Sequence, residues 1–181
     1  MKSLEQQVDD FLEAQKEVAM GQRLEMMQGD LSGTRKLLPA VLLPVSGTFR
    51  GLTLVYEMVS LSGARISIDA FYEPLGIAFE AEGYVAHHER ITRDRFSFEK
   101  MRIRTFGNCD YAFYPFSWDE MDKRPEVCRR AVCELLGRKG SVETSRLVRH
   151  RVHHAAPDRR RRPSAGGHAR RRTVPGLRFA R

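Results

Sequence analysis

Two acids spaced one residue apart, Glu80 and Glu82 in the run Glu80-Ala81-Glu82-Gly83-Tyr84, follow Asp69 by about ten residues and precede the adjacent pair His87 and His88. Three carboxylates brought to one place repel each other until a cation binds. Their hard oxygens suit Mg²⁺ or Mn²⁺ and leave positions for water and a phosphate oxygen. Such an ion polarises a phosphoryl group and lowers the pKa of a bound water, which is what phosphodiester hydrolysis needs. Zinc fits poorly, because adjacent histidines do not readily share one metal and the chain holds no HExxH pattern.

The surrounding elements must deliver those acids. Residues 66–72 alternate like a half-buried strand, Pro74, Leu75 and Gly76 supply a turn, and 77–82 form the next strand. Glu80 and Glu82 then share a face, and the neighbouring strand can present Asp69 beside them. Ile77, Phe79 and Tyr84 make this strand too apolar for a solvated edge, so acids embedded in it need a compensating partner. The plain alternative is a surface strand with alternating glutamates.

Upstream, residues 3 to about 29 are predicted as one helix capped by Ser3, with Gly21 weakening its middle. A second helical stretch runs from Ser32 or Thr34 to Leu38, complicated by Pro39 and Pro44. Residues 51–59 form a strand, and Ser62 with Gly63 makes a hairpin turn into the Asp69 strand. Downstream, Thr92 caps a helix over 93–105, residues 109–116 form an aromatic strand, and Pro125 starts a last helix that ends before Gly137. This order predicts an α/β fold, a small mixed sheet with helices on its faces. Trp118, Phe113, Tyr114 and Phe116 are read as core more readily than as base-stacking groups.

The 181 residues carry a net charge of +8, but unevenly. Residues 138–181 hold 14 Arg and Lys against two acids, a balance of +12, which leaves −4 on the first 137. That last segment lacks a sustained apolar period and is expected to be a disordered basic tail. Two readings of it stand side by side: an arginine-rich arm that neutralises phosphates, or a composition like that of GC-rich DNA translated in a shifted frame. No apolar run reaches the length of a membrane span, and the acidic start does not resemble a secretory signal, so a soluble cytoplasmic protein with no membrane partner is expected. Cys109, Cys128 and Cys133 have no second ligand pair for zinc and are read as buried or free thiols.

Taken together, the Asp69 strand, the Glu80-Ala81-Glu82-Gly83 strand, a histidine soon after, and a helix bearing Asp94 and Arg102 resemble the PD-(D/E)xK nuclease superfamily. Within it the likeness is to small bacterial endonuclease-domain proteins akin to very-short-patch repair endonucleases, and it spans about residues 50 to 137. The resemblance implies a restriction-endonuclease-like core at 49–137, between an N-terminal helical arm at 1–48 and the tail at 138–181. It implies a metal-dependent endonuclease acting on DNA in repair or defence, with Asp69 and Glu80 as metal-binding acids and Glu82 where the parent pattern has Lys. His87 then falls at the general acid or base, and Lys100 or Arg102 would supply the missing positive charge. Glu57 or Glu25 would be an additional acid. The substitution of Glu82 for Lys also admits a fold that has lost catalysis and serves as a DNA-binding or interaction module.

Overall fold

The computed structural model describes residues 2–60, 62–83 and 92–153, the side chains of 142–153 excepted. Four strands form one mixed sheet in the order β1 (Leu52–Val59), β2 (Arg65–Tyr72), β3 (Ile77–Glu82) and β4 (Ala112–Ser117). β1 with β2 and β2 with β3 are antiparallel, and β3 with β4 is parallel. The α/β class and the mixed sheet predicted from the sequence are therefore present. The β2–β3 turn is a short 3-10 segment, Glu73–Leu75, closed by Gly76 at φ 58°. A Cβ on Gly76 would lie 2.8 Å from the Tyr111 ring, so only glycine fits both the backbone and the space.

Helices cover both faces. On one face lie α1 (Leu4–Glu17), α2 (Gly21–Met27), α3 (Ser32–Leu37), a π-helical stretch (Leu38–Leu42), α4 (Leu43–Ser46), α6 (Trp118–Lys123) and α7 (Pro125–His153). Their Leu12, Met27, Leu37, Leu38, Val41, Met121 and Val132 form one core with Leu54, Ile77 and Phe79 of the sheet. The segment 1–48 thus shares its apolar interior with the strands. On the other face α5 (Arg93–Asn108) packs Phe106, Met101 and Phe98 against Ile66, Ile68, Phe71 and Ala78.

Three predicted boundaries are corrected. The first helix is two: α1 ends at Glu17, Met20 is extended, and Gly21, at a left-handed φ of 57°, opens α2 in a new direction. Pro39 cannot donate, and the Leu43 N–H reaches back five residues to the Leu38 carbonyl, which widens the helix locally. The last helix does not end at Gly137 but continues to His153. Glycine characteristically ends a helix by turning left-handed. Gly137 does not, and a Cβ there would meet nothing within 4 Å. Lys139 of this extension donates to the carbonyls of Leu75 and Asp110, both at 3.2 Å. Residues 154–181, the remainder of the expected tail, lie outside the described residues. No helix among the described residues is long and apolar enough to cross a membrane.

The sheet has one internal irregularity. In β1, Leu52, Leu54 and Val55 join the larger core while Tyr56 and Met58 join the smaller one; in β2, Ile66 and Ile68 join the smaller core and Ala70 the larger. Strict alternation would keep positions 52 to 58, and 66 to 72, each on one side. Both strands therefore exchange faces, β1 at Val55, whose φ is 48°, and β2 at Asp69 opposite it, and pairing resumes in the same register. Where β1 is the sheet edge, Gln15 accepts from the Leu54 N–H at 3.1 Å and Arg23 donates to the Leu54 carbonyl at 3.0 Å, so side chains occupy the groups a further strand would use.

Candidate functional site

Asp69 and Glu80 meet because the β2–β3 ladder stops one residue short of them. The last paired residues are Ala70 and Phe79. Beyond that point side chains replace backbone partners: Glu80 Oε2 accepts from the Asp69 N–H at 3.3 Å, and Asp69 Oδ2 accepts from the Ala81 N–H at 2.8 Å. Each carboxylate is held by the backbone of the opposing strand. Helix α3 closes over this end of the sheet, and Gly33 permits the approach, since a Cβ there would stand 3.0 Å from Ala81 Cβ and 4.0 Å from Asp69 Oδ2.

From the other face, α5 delivers Arg102. Its side chain is only 5% exposed, yet it is paired on three sides, donating to Glu80 Oε1 at 2.8 Å, to the Ser67 carbonyl at 3.1 Å and to Glu99 Oε2 at 2.9 Å. Its guanidinium also lies 5.7 Å from the centre of the Phe113 ring. Glu99 in turn pairs with Arg95 at 2.8 Å, so a chain of alternating charge runs from Glu80 through Arg102 and Glu99 to the surface. Arg102 Nε is buried without a partner. Two influences oppose each other at Glu80. Burial and the Asp69 charge push its carboxyl up, Arg102 pulls it down, and the first pair prevails, leaving it at about 7.

This constellation opens on a cleft of about 300 Å³ lined by Asp69, Glu80, Glu57, Arg65, Arg95 and Arg102, with Gln22, Met26 and Phe98 among the rest of its wall. Of the two candidates for an additional acid, Glu57 is at the cleft and Glu25 is not. Ala81 packs with Ile77 and Phe79 in the larger core, so alternation puts Glu82 on the Glu80 side of β3, but Glu82 does not line the cleft. Lys100 is not brought to it either: its ammonium sits 4.8 Å from the centre of the Phe96 ring, on the outside of α5. His87 and its neighbour His88 lie outside the described residues. Phe116 is buried and Phe113 and Tyr114 pack against the cores, while Trp118 is 38% exposed with Lys36 over its ring.

Glu99, Arg65, Arg95 and Gln22 were not singled out from the sequence. The i, i+3 spacing of Glu99 and Arg102 and the i, i+4 spacing of Arg95 and Glu99 were the available signal. Arg65 is aimed by Gln22 of α2, which accepts from it at 2.6 Å, a contact that depends on how the helix docks. The three cysteines are free thiols.

Comparison of the chain with protein-family models, with curated proteins and with solved structures finds no match. The fit of a divalent cation therefore rests on the residues themselves. Among the described residues no group of three or more His, Cys, Asp or Glu converges as a metal set. Two carboxylates do converge, and Mg²⁺ is commonly held by one or two carboxylates together with substrate phosphate. A buried Glu80 that resists ionisation beside Asp69 is relieved by an added positive charge, which makes this pair chemically suited to such an ion.

Proposed function

We propose that the protein is a divalent-metal-dependent endonuclease of the restriction-endonuclease-like fold, hydrolysing phosphodiester bonds in DNA in repair or defence. The observation that carries this reading is the opposition of Asp69 and Glu80 at the unzipped end of β2 and β3, in a cleft whose remaining charges are mostly arginine. Asp69 and Glu80 would hold Mg²⁺ or Mn²⁺, which when bound polarises the phosphoryl group and supplies a more acidic water. The chain's own part is positioning. Arg102 fixes the Glu80 carboxylate by a bond at 2.8 Å, and Glu99 fixes Arg102. Arg65 and Arg95, both exposed at the cleft, meet the phosphate charge.

The test is cleavage of plasmid and mismatched duplex DNA by the full chain with Mg²⁺, with Mn²⁺ and with chelator. Asp69→Asn and Glu80→Gln should each abolish cutting while the far-ultraviolet circular dichroism stays that of the parent, since each removes a charge at constant volume. Cutting at the parental rate by both variants would remove the assignment.

A second reading is favoured by Arg102: it already supplies Glu80 with a cation from within the chain, as expected of a nuclease-derived module that binds DNA without cutting it. Glu82→Lys separates the two. In an active nuclease that uses Glu82 it should lower Mn²⁺ affinity and activity, because an ammonium repels the ion. In a module disabled by Glu82, it should create or raise cleavage.

A further inference from the structure

Helix α5 has a second face that the cleft does not use. Arg93, Phe96, Lys100, Ile103 and Arg104 follow one another at helical spacing along its outer side, and all five are exposed. Phe96 is 51% and Ile103 47% exposed, large apolar groups left in water among three cations. Lys100 lies over the Phe96 ring at 4.8 Å, so charge and aromatic surface already act together there. Neither acid of the helix is on this side. Glu99 turns to Arg95 and Arg102, and Asp94 sits in the first turn on the flank of Met101 and Phe98.

We propose that this face binds an unpaired strand of DNA, its phosphates against Arg93, Lys100 and Arg104 and a base against the Phe96 ring. The charge complementarity selects a polyanion. The aromatic group then selects between duplex and single strand, because a duplex hides its base faces in the stack and offers phosphates outward, whereas an unpaired strand offers a π-face at every nucleotide. Arg95 of the same helix, about half exposed, lines the cleft together with Asp69 and Glu80. The proposal rests on DNA being the partner, as in the nuclease reading, and adds that the strand gripped by α5 is unpaired.

The test uses the full chain in chelator, so that binding is read without cleavage. Fluorescence anisotropy is measured with a labelled oligo-dT strand and with a duplex of equal length, for the parent, Phe96→Ala, Phe96→Tyr and the double variant Lys100→Gln, Arg104→Gln. Phe96→Ala should weaken single-strand binding about tenfold and leave the duplex nearly unchanged, while Phe96→Tyr retains parental binding because the ring is kept. The double variant should weaken single-strand binding and flatten its dependence on salt. A Phe96→Ala variant that loses affinity for both DNAs alike, or for neither, overturns the proposal. The nuclease reading fails separately: if Phe96→Ala behaves as expected but Asp69→Asn and Glu80→Gln leave cleavage unchanged in Mn²⁺, only that reading falls.

Discussion

Arg102 donates to Glu80 at 2.8 Å from a side chain that is almost wholly buried, so the cation of one sheet face is spent on the acid that the β2–β3 hairpin presents. Removing either partner has different consequences. Arg102→Met strands Glu80 and Glu99 without their shared counter-charge, and loss of one member of a buried pair costs about 3–5 kcal/mol. Glu80→Gln keeps an acceptor for Arg102, relieves repulsion with Asp69, and leaves Arg102 paired with Glu99. Urea denaturation should therefore show a large fall in midpoint for Arg102→Met and little change for Glu80→Gln.

Stability should also depend on pH through Glu80. Its carboxyl is raised by burial and by Asp69 to about 7 in the fold, above the ordinary carboxylate range it has in the unfolded chain. Between those values the folded state holds the extra proton, so the contribution is fully present below the unfolded value and is lost as pH rises through about 7. The metal-free protein should lose on the order of 2 kcal/mol from this group between pH 5 and pH 8. Denaturation curves at the two pH values check this, and Glu80→Gln should flatten the difference.

Two glycines on helices should respond oppositely to alanine. At Gly137 a Cβ meets nothing within 4 Å, so Gly137→Ala should gain about 1 kcal/mol from helix propensity. At Gly33 the same Cβ presses Ala81 at 3.0 Å, and overpacking of about 1–3 kcal/mol offsets that gain. Gly33→Ala should also disturb the Ala81 N–H that holds Asp69. Thermal melts of the two variants, with cleavage assays on Gly33→Ala, separate the effects.

Lys139 gives a fourth measure. Its ammonium bonds two backbone carbonyls where the Gly76 turn and the loop before β4 come together. Lys139→Met keeps the stem and removes both bonds, and should cost about 1 kcal/mol at this half-buried position. Ending the chain at Gly137 should lower the melting temperature at least as much. An unchanged melt for both would mean that the helix beyond Gly137 contributes nothing to the fold.

The sequence made the β2–β3 pairing legible, because a turn at 73–76 between two alternating runs fixes which residues face each other, and Asp69 beside Glu80 follows. Arg102 was legible only as a cation on the next helix. Its contact with Glu80 spans 22 positions and depends on how α5 settles on the sheet. Glu82 shows the limit of period-two reasoning, which places a side chain on a face but not at a cleft. Gly137 misled for a related reason: composition marks where a helix can stop, and only the backbone conformation decides whether it does. The face exchange at Val55 and Asp69 has no signature at all, since Leu54, Val55 and Tyr56 suit either side of a sheet.

That exchange couples the two halves of the protein. Because β1 and β2 each feed both apolar clusters, neither cluster can melt while the strands stay paired, and both helical layers share one unfolding event. Amide exchange in α5 and in the π-helical stretch should then report the same opening free energy. The crossing point is Asp69 itself, so a residue that lines the cleft is also the one about which the sheet turns over.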